Sequence, residues 1–270
     1  MNNAQSLTGL DPALYQALVQ LSRTERLLVA CDFDGALAPF VPRAEDARPL
    51  PASAQALTEL ADTPRTTTAL ISGRALSSLR AVAEPSPRTL LIGSHGAERW
   101  LGSEPAGQEL PSLSAEDQDL LSQVVTELSA VSTGHPGTSI EVKPAGAVLH
   151  TRQADDDVAE AAVLAARSAL RPLGVRLQNG KRVLEASVLQ VDKGQGLDLL
   201  REFSAATGVF FVGDDATDED GFRTLRSGEV GVKVGPEETA AEYRVDSPEQ
   251  VATVLTTLLD LRIAAVSDLP

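Results

Sequence analysis

The chain has 270 residues, 43% of them apolar and 23% charged, enough for one or two domains with a real core and unlike a disordered, collagen-like or fibrous chain. Lys plus Arg total 23 against 38 Asp plus Glu, a formal charge of -15 at pH 7, and that field repels nucleic acid and anionic lipid surfaces. A phosphorylated ligand would meet the same repulsion unless a cation and a few placed Lys or Arg side chains reverse it locally.

The longest apolar runs, such as Leu27–Cys31 and Gly208–Gly213, fall far short of the roughly 18 residues of a membrane helix. The opening MNNAQSLTGL has neither the basic start nor the apolar block of a signal peptide, and Cys31 is the single cysteine. A cytoplasmic protein without disulfides, binding neither membrane nor nucleic acid, is therefore expected, as a monomer.

In chain order, Leu27–Cys31 reads as a strand buried on both faces and stopped by the polar Asp32-Phe33-Asp34-Gly35. Ala54–Ala61 has helical spacing, Thr68–Ile71 reads as a second buried strand before Ser72-Gly73-Arg74, and Ala75–Val82 as a helix. Leu90–Ile92 is a third strand, before Gly93-Ser94-His95-Gly96. A Gly/Pro/Ser-rich stretch, Gly102–Ser114, then marks a boundary. Beyond it the pattern changes to a helix over 115–131, strands at Thr138–Val142 and Ala147–Arg152, a helix over 155–170, and strands near Val175–Leu177 and Arg182–Ala186. The first pattern then returns, with a helix at Gly194–Phe203 and a buried strand at Val209–Val212 running into Gly213-Asp214-Asp215. Strand, polar loop, helix, strand predicts an α/β, doubly wound parallel sheet of the Rossmann-like kind. That core is expected from residues 1–100 and 188–270, with an α+β cap over 101–187 inserted between. Closure of the cap would use hinges near Leu101–Pro105 and Ser187–Val191.

In such sheets ligands sit beyond the carboxyl ends of the strands, and that edge is acidic and glycine-rich here. Asp32 and Asp34, two residues apart, leave extended backbone on one face. They are either a solvated acidic turn or a working carboxylate pair. Asp214, Asp215, Asp218, Glu219 and Asp220 crowd one loop and helix start. Helix capping would need only one of them, whereas a hard divalent cation would answer the repulsion of the whole group. Ser72, Gly73 and Arg74 offer a hydroxyl, backbone N–H groups and a guanidinium to a phosphate. Lys193 opens a helix, where a cation is disfavoured unless an anion compensates, or else it is a surface lysine. In the inserted part Glu141 and Lys143 share a strand face, and His150, Arg152 and Glu185 add polar groups; they form either cross-strand salt bridges or a sugar-binding array.

Taken together, Asp32-Phe33-Asp34-Gly35, Ser72-Gly73-Arg74, Lys193-Gly194 and Gly213-Asp214-Asp215-Ala216-Thr217-Asp218-Glu219 occur in the order used by the haloacid dehalogenase phosphatases. With the GxHG motif at Gly93–Gly96 and the cap signatures, the chain resembles the trehalose-6-phosphate phosphatase family from about Leu27 to Leu258. The resemblance implies Mg²⁺-dependent hydrolysis of trehalose 6-phosphate in trehalose biosynthesis. Asp32 would be the nucleophile giving an aspartyl-phosphate, Asp34 the general acid and base, and Ser72 and Lys193 the phosphoryl-binding groups. Mg²⁺ would be held by Asp32, the Asp34 carbonyl and Asp214, supported by Asp215 and Asp218. It assigns Glu141, Lys143 and Glu185 to the sugar, helped by Arg152 and His95, with Gly73 and Arg74 also facing substrate. Two positions depart from the family pattern: Ala36 stands where Thr is usual and Thr151 where Tyr is usual. Related capped phosphatases for sucrose 6-phosphate or mannosyl-3-phosphoglycerate, and a catalytically silent sugar-phosphate sensor, are the alternatives. A phospho-accepting receiver domain also groups Asp and Lys around Mg²⁺, but neither the cap nor the length fits it.

Overall fold

The computed structural model describes residues 9–102, 113–180, 182–189 and 191–267. Most of the Gly102–Ser114 stretch lies outside these residues, as do part of the expected hinge at Leu101–Pro105 and Gln190 in the second one. The chain divides into two compact units, Met1–Leu110 with Val191–Pro270, and Pro111–Gln190.

The first unit is built on a seven-stranded sheet. Its strands are β1 (Leu27–Cys31), β2 (Thr66–Ile71), β3 (Leu90–Gly93), β4 (Glu98–Trp100), β9 (Gly208–Gly213), β10 (Val230–Val234) and β11 (Tyr243–Val245). They lie in the order β11-β10-β9-β1-β2-β3-β4, all neighbours parallel except the antiparallel β3/β4 pair. The doubly wound α/β fold expected from the sequence is what the chain adopts.

Every residue of β1 is buried, and its side chains alternate between two cores. Leu27, Val29 and Cys31 join helices α1 (Pro12–Leu21), α2 (Pro51–Asp62), α3 (Leu76–Ala83) and α8 (Pro248–Ser267) on one face. Leu28 and Ala30 join α6 (Lys193–Ser204) and Phe222 of the short α7 (Asp218–Arg223) on the other. Each fully buried Leu or Val stabilises the fold by about 1.5–3 kcal/mol, so this strand is anchored from both sides. By length and composition α8 would pass for a membrane-crossing helix, but it is packed into the core, with Val251, Val254, Leu255 and Leu258 against the sheet's first face. Arg262 of α8 is also fully buried. Its guanidinium donates to the carbonyls of Ser22, Thr24, Glu25 and Arg65 and to the Thr66 hydroxyl, pinning the helix to the turns that enter β1 and β2.

The topology fixes where chemistry can occur. From β1 the chain winds outward through β2 and β3, then resumes at β9 on the other side of β1. The loops leaving β1 and β9 therefore part in opposite directions and open a crevice at the switch point between them. Cys31 pairs with Val212 in register, and the Asp32 N–H donates to the Val212 carbonyl at 2.9 Å, so the two acidic loops start side by side.

The second unit is a four-stranded antiparallel sheet, β5-β6-β8-β7, from β5 (Ser139–Lys143), β6 (Gly146–His150), β7 (Arg176–Gly180) and β8 (Val183–Ser187). Ile140, Ala147, Leu149, Leu184 and Ala186 pack on α4 (Ala115–Gly134) and α5 (Asp156–Leu170). Period-two alternation then puts Glu141, Lys143, His150, Glu185, Gln178 and Arg176 on the opposite face.

Candidate active site

The first loop turns sharply after Asp34. Gly35 takes φ +80, and a Cβ there would lie 2.2 Å from Asp214 Oδ2, so glycine lets the two acidic loops touch. The Leu37 and Ala38 N–H groups both donate to the Phe33 carbonyl and close a tight turn. Ala36 is fully buried among apolar neighbours, a setting that does not require the hydroxyl usual at that position.

Lys193 holds the centre. It begins α6, whose N-cap is Asp192, with the Asp192 carboxylate accepting from the Gln195 N–H. Its side chain is 2% exposed; Nζ donates to Asp218 Oδ1 at 2.8 Å and lies 2.9 Å from Asp32 Oδ1 and 4.0 Å from Asp215. Asp218 is the hub of the second loop. Its other oxygen accepts from the Asp214 and Asp215 N–H groups at 2.9 and 3.0 Å, and Gly213 leaves room for it, since a Cβ there would lie 2.1 Å from its Cγ. Asp215 instead caps the loop, accepting from the Thr217 N–H and hydroxyl.

Burial and crowding set the charge state. Asp32 and Asp218 are both pushed up to about 8, first by burial and then by neighbouring carboxylates, against the pull of Lys193. Asp214 rises to about 7, by burial and then by Asp218 and Asp215. Burial also opposes ionisation of Asp215, but Lys193 and the Thr217 hydrogen bonds hold it down at about 2. Lys193 stays well above the usual lysine range, because the carboxylates outweigh its burial. Asp32, Asp214 and Asp218 can each offer an oxygen such that all three lie within 4.8 Å of one another. An all-oxygen donor set of carboxylates that resist joint ionisation fits a hard divalent cation, and the crevice can hold a metal ion.

The Ser72-Gly73-Arg74 side of the crevice is assembled by the second and third strand ends. Ser72 is buried, its hydroxyl accepting from the Arg74 N–H and its carbonyl from the His95 N–H. The turn after β3 is strained: Ser94 and His95 both adopt left-handed conformations, at φ 47 and 57. That turn lays the His95 imidazole over Gly73, where a Cβ would come within 2.5 Å of the ring, and close enough to Asp215 to help hold its charge. Arg74 turns to Asp34, with Nε and Nη2 each 2.6 Å from a carboxylate oxygen. Thus Asp34 joins an arginine pair, while Asp32, Asp214, Asp218 and Lys193 form one cluster.

In the second unit, Lys143 Nζ meets both Glu185 oxygens at 3.0 Å, and His150 Nε2 lies 2.9 Å from Glu141. Lys143 reaches Glu185 across β6, which presents Gly146 opposite Lys143. Arg152 lines an open depression with Ser139, Glu141 and His150. Thr151 is buried and donates to the Arg182 carbonyl, so it offers no surface in the place of the usual Tyr.

Two further residues support the first unit's site. Lys233 on β10 is 2% exposed and donates to the Asp214 carbonyl. Its signal is a lone charge in the apolar run Val230–Val234. Glu98 on β4 accepts from the Ser94 hydroxyl at 2.5 Å and the Leu76 N–H at 3.3 Å, bracing the strained turn.

Known proteins place this architecture. The trehalose-phosphatase family model matches residues 30–249. A bifunctional trehalose-6-phosphate synthase/phosphatase of Thermoproteus tenax is 31% identical over 88% of this chain, which spans only 32% of that protein's length. The trehalose-6-phosphate phosphatase of Escherichia coli is 34% identical, over 79% of each chain. The fold of the C-terminal domain of a Candida albicans trehalose-6-phosphate phosphatase superposes with a TM-score of 0.78 at 23% identity, covering 92% of this chain and 96% of that one. The acidic crevice at the switch point and the match over most of the sequence agree: the chain belongs to the trehalose-phosphatase family.

Proposed function

We propose that the protein hydrolyses trehalose 6-phosphate to trehalose and phosphate, with Mg²⁺ as its ion, as a step of trehalose biosynthesis. The observation that carries this reading is the juxtaposition at the crevice: Asp32 Oδ1 is 2.9 Å from Lys193 Nζ and grouped with Asp214 and Asp218, in a chain whose family match spans residues 30–249. Asp32, whose ionised form is favoured by Lys193 and would be favoured further by a bound cation, attacks phosphorus and forms an aspartyl-phosphate, while the P–O bond to the sugar breaks. Asp34 gives its proton to the departing sugar oxygen, then takes one from the water that attacks the aspartyl-phosphate and releases inorganic phosphate. Ser72 and Lys193 hold the phosphoryl oxygens, whose spread charge is stabilised by fixed electrostatics. Asp32 and Asp214, with Asp218 and Asp215 behind them, would hold a divalent ion, which when bound would supply positive charge against the carboxylates and the phosphoryl group.

Glu141, Lys143 and Glu185 are the sugar-reading groups, with Arg152 and His95 assisting. Their ion pairs would exchange partners for sugar hydroxyls, and unpaired polar groups would then reject poorly matched sugars. The test is phosphate release from trehalose 6-phosphate, sucrose 6-phosphate, mannosyl-3-phosphoglycerate and glucose 6-phosphate, with and without Mg²⁺. Metal-dependent release selective for trehalose 6-phosphate is expected. Preference for another sugar would overturn the assignment of the sugar-reading residues, and no release from any would make the chain a sensor.

A further inference from the structure

We propose that Arg74 is a positioning residue that fixes the Asp34 carboxylate for proton transfer, and not a ligand of the transferring phosphoryl group. The inference rests on the proposed phosphatase reading, in which Asp34 serves the leaving oxygen. Its basis is how fully the guanidinium is committed. Nε and Nη2 each donate to one Asp34 oxygen at 2.6 Å, the bidentate geometry that aligns a carboxylate plane. Nη1 donates to the Ala44 carbonyl at 2.9 Å and to the Ser78 hydroxyl at 3.4 Å. Four of the five N–H donors are thus used within the protein. The Arg74 side chain is 10% exposed, and its Cζ sits 5.3 Å over the Phe33 ring, which fixes the guanidinium plane from one side.

Asp34, 35% exposed at its side chain, keeps an open edge for the leaving group. Arg74 also joins the two ends of the segment from Asp34 to Ala44, so the loop that carries the acid/base is closed on the same group that orients it. The phosphoryl side already has a buried cation in Lys193, 2.9 Å from the nucleophile. A one-ångström displacement of a proton-transfer group costs about 100-fold in rate.

The two roles differ in their leaving-group dependence. A sugar alkoxide needs a proton as it departs, whereas the phenolate of p-nitrophenyl phosphate leaves without one. We would measure the pre-steady-state burst of p-nitrophenol, which reports transfer to Asp32 alone, and single-turnover cleavage of trehalose 6-phosphate. The proteins are wild type, Arg74→Met, Arg74→Lys, Asp34→Asn and Asp34→Asn/Arg74→Met. Arg74→Met is expected to slow sugar-phosphate cleavage by about 100-fold and the p-nitrophenol burst by less than about 3-fold. Arg74→Lys, which keeps charge but not the fork, should fall between wild type and Arg74→Met. The double variant should be no slower than Asp34→Asn, because residues acting as a unit are not additive. Product inhibition by inorganic phosphate should be unchanged within about 3-fold in Arg74→Met, since the phosphoryl ligands remain. An equal loss with both leaving groups, with weaker phosphate inhibition, would make Arg74 a phosphoryl ligand and overturn the proposal. A wild-type enzyme that gives no burst and cleaves no sugar phosphate would instead overturn the phosphatase reading itself.

Discussion

Lys193→Met is the most informative single perturbation of the crevice. Among the described residues of the acidic cluster Lys193 is the cation in contact with Asp218 at 2.8 Å and Asp32 at 2.9 Å, and it is 2% exposed. Removing one partner of a buried pair leaves uncompensated charge and costs about 3–5 kcal/mol. Met fills a similar volume, so loss of packing adds little. The loss should be largest near about pH 8, where the carboxylates bear charge, and shrink toward about pH 5, where protonation relieves them. Asp218→Asn added to Lys193→Met should recover part of the loss, with a coupling of about 1–3 kcal/mol. Urea unfolding of the metal-free protein followed by fluorescence is the assay. Trp100, the single tryptophan, lies on β4 with the Arg80 guanidinium 4.7 Å over its ring, so it reports on the unit that contains Lys193. A loss below about 1 kcal/mol near pH 8, or strict additivity in the double variant, would refute the claim that Lys193 holds these carboxylates together.

Two more predictions concern the intact chain. Asp32, Asp214 and Asp218 have folded values raised to about 8, about 7 and about 8, above those of an unfolded chain, so their contribution to stability is full in acid and is lost as pH rises through about 7–8. Thermal unfolding with chelator should therefore show stability falling between about pH 5 and about pH 8, and the stabilisation by Mg²⁺ should grow over the same range because binding displaces protons. A Mg²⁺ effect that is flat or falls with pH would contradict the placement of the ion among these groups. Away from the site, Arg262→Met removes a buried guanidinium that donates to four carbonyls and the Thr66 hydroxyl, of which the Arg65 carbonyl keeps the Leu27 N–H, with an expected loss of about 3 kcal/mol in urea and full turnover at low temperature. A loss under about 1 kcal/mol would show that water replaces the guanidinium there.

Much of this could be read from the chain because the physics is local. A continuous apolar run ended by several acidic residues marks a strand whose carboxyl end faces solvent, and both β1 and β9 carry that mark. The winding rule then brings their ends together, which is why Asp32 and Asp214 were foreseeable as neighbours although 182 positions separate them in the chain. Other elements gave weaker signals. The edge strand Glu98–Trp100 has only three residues, and β10 is interrupted by Lys233, whose role appears only when its amine is seen on the Asp214 carbonyl. Side-chain partner choice is the least legible layer. Arg74 stands two positions after Ser72 in the sequence and reads as a phosphate-binding group, yet it reaches back 40 positions to Asp34. Nothing in local spacing records that choice, because the approach of the first loop to the second strand end decides it. The same holds for Lys143, which spans a strand to reach Glu185.

Transfer of the phosphoryl group to Asp32 is the step on which the proposed hydrolysis rests. Rapid acid quench of the protein with trehalose 6-phosphate labelled at phosphorus, followed by peptide mapping, tests this directly. Transient label, labile to hydroxylamine, is expected on the peptide that contains Asp32 and is expected to be absent from Asp32→Asn. Turnover of the wild-type protein with no label on that peptide, or with Asp32→Asn still active, would contradict it.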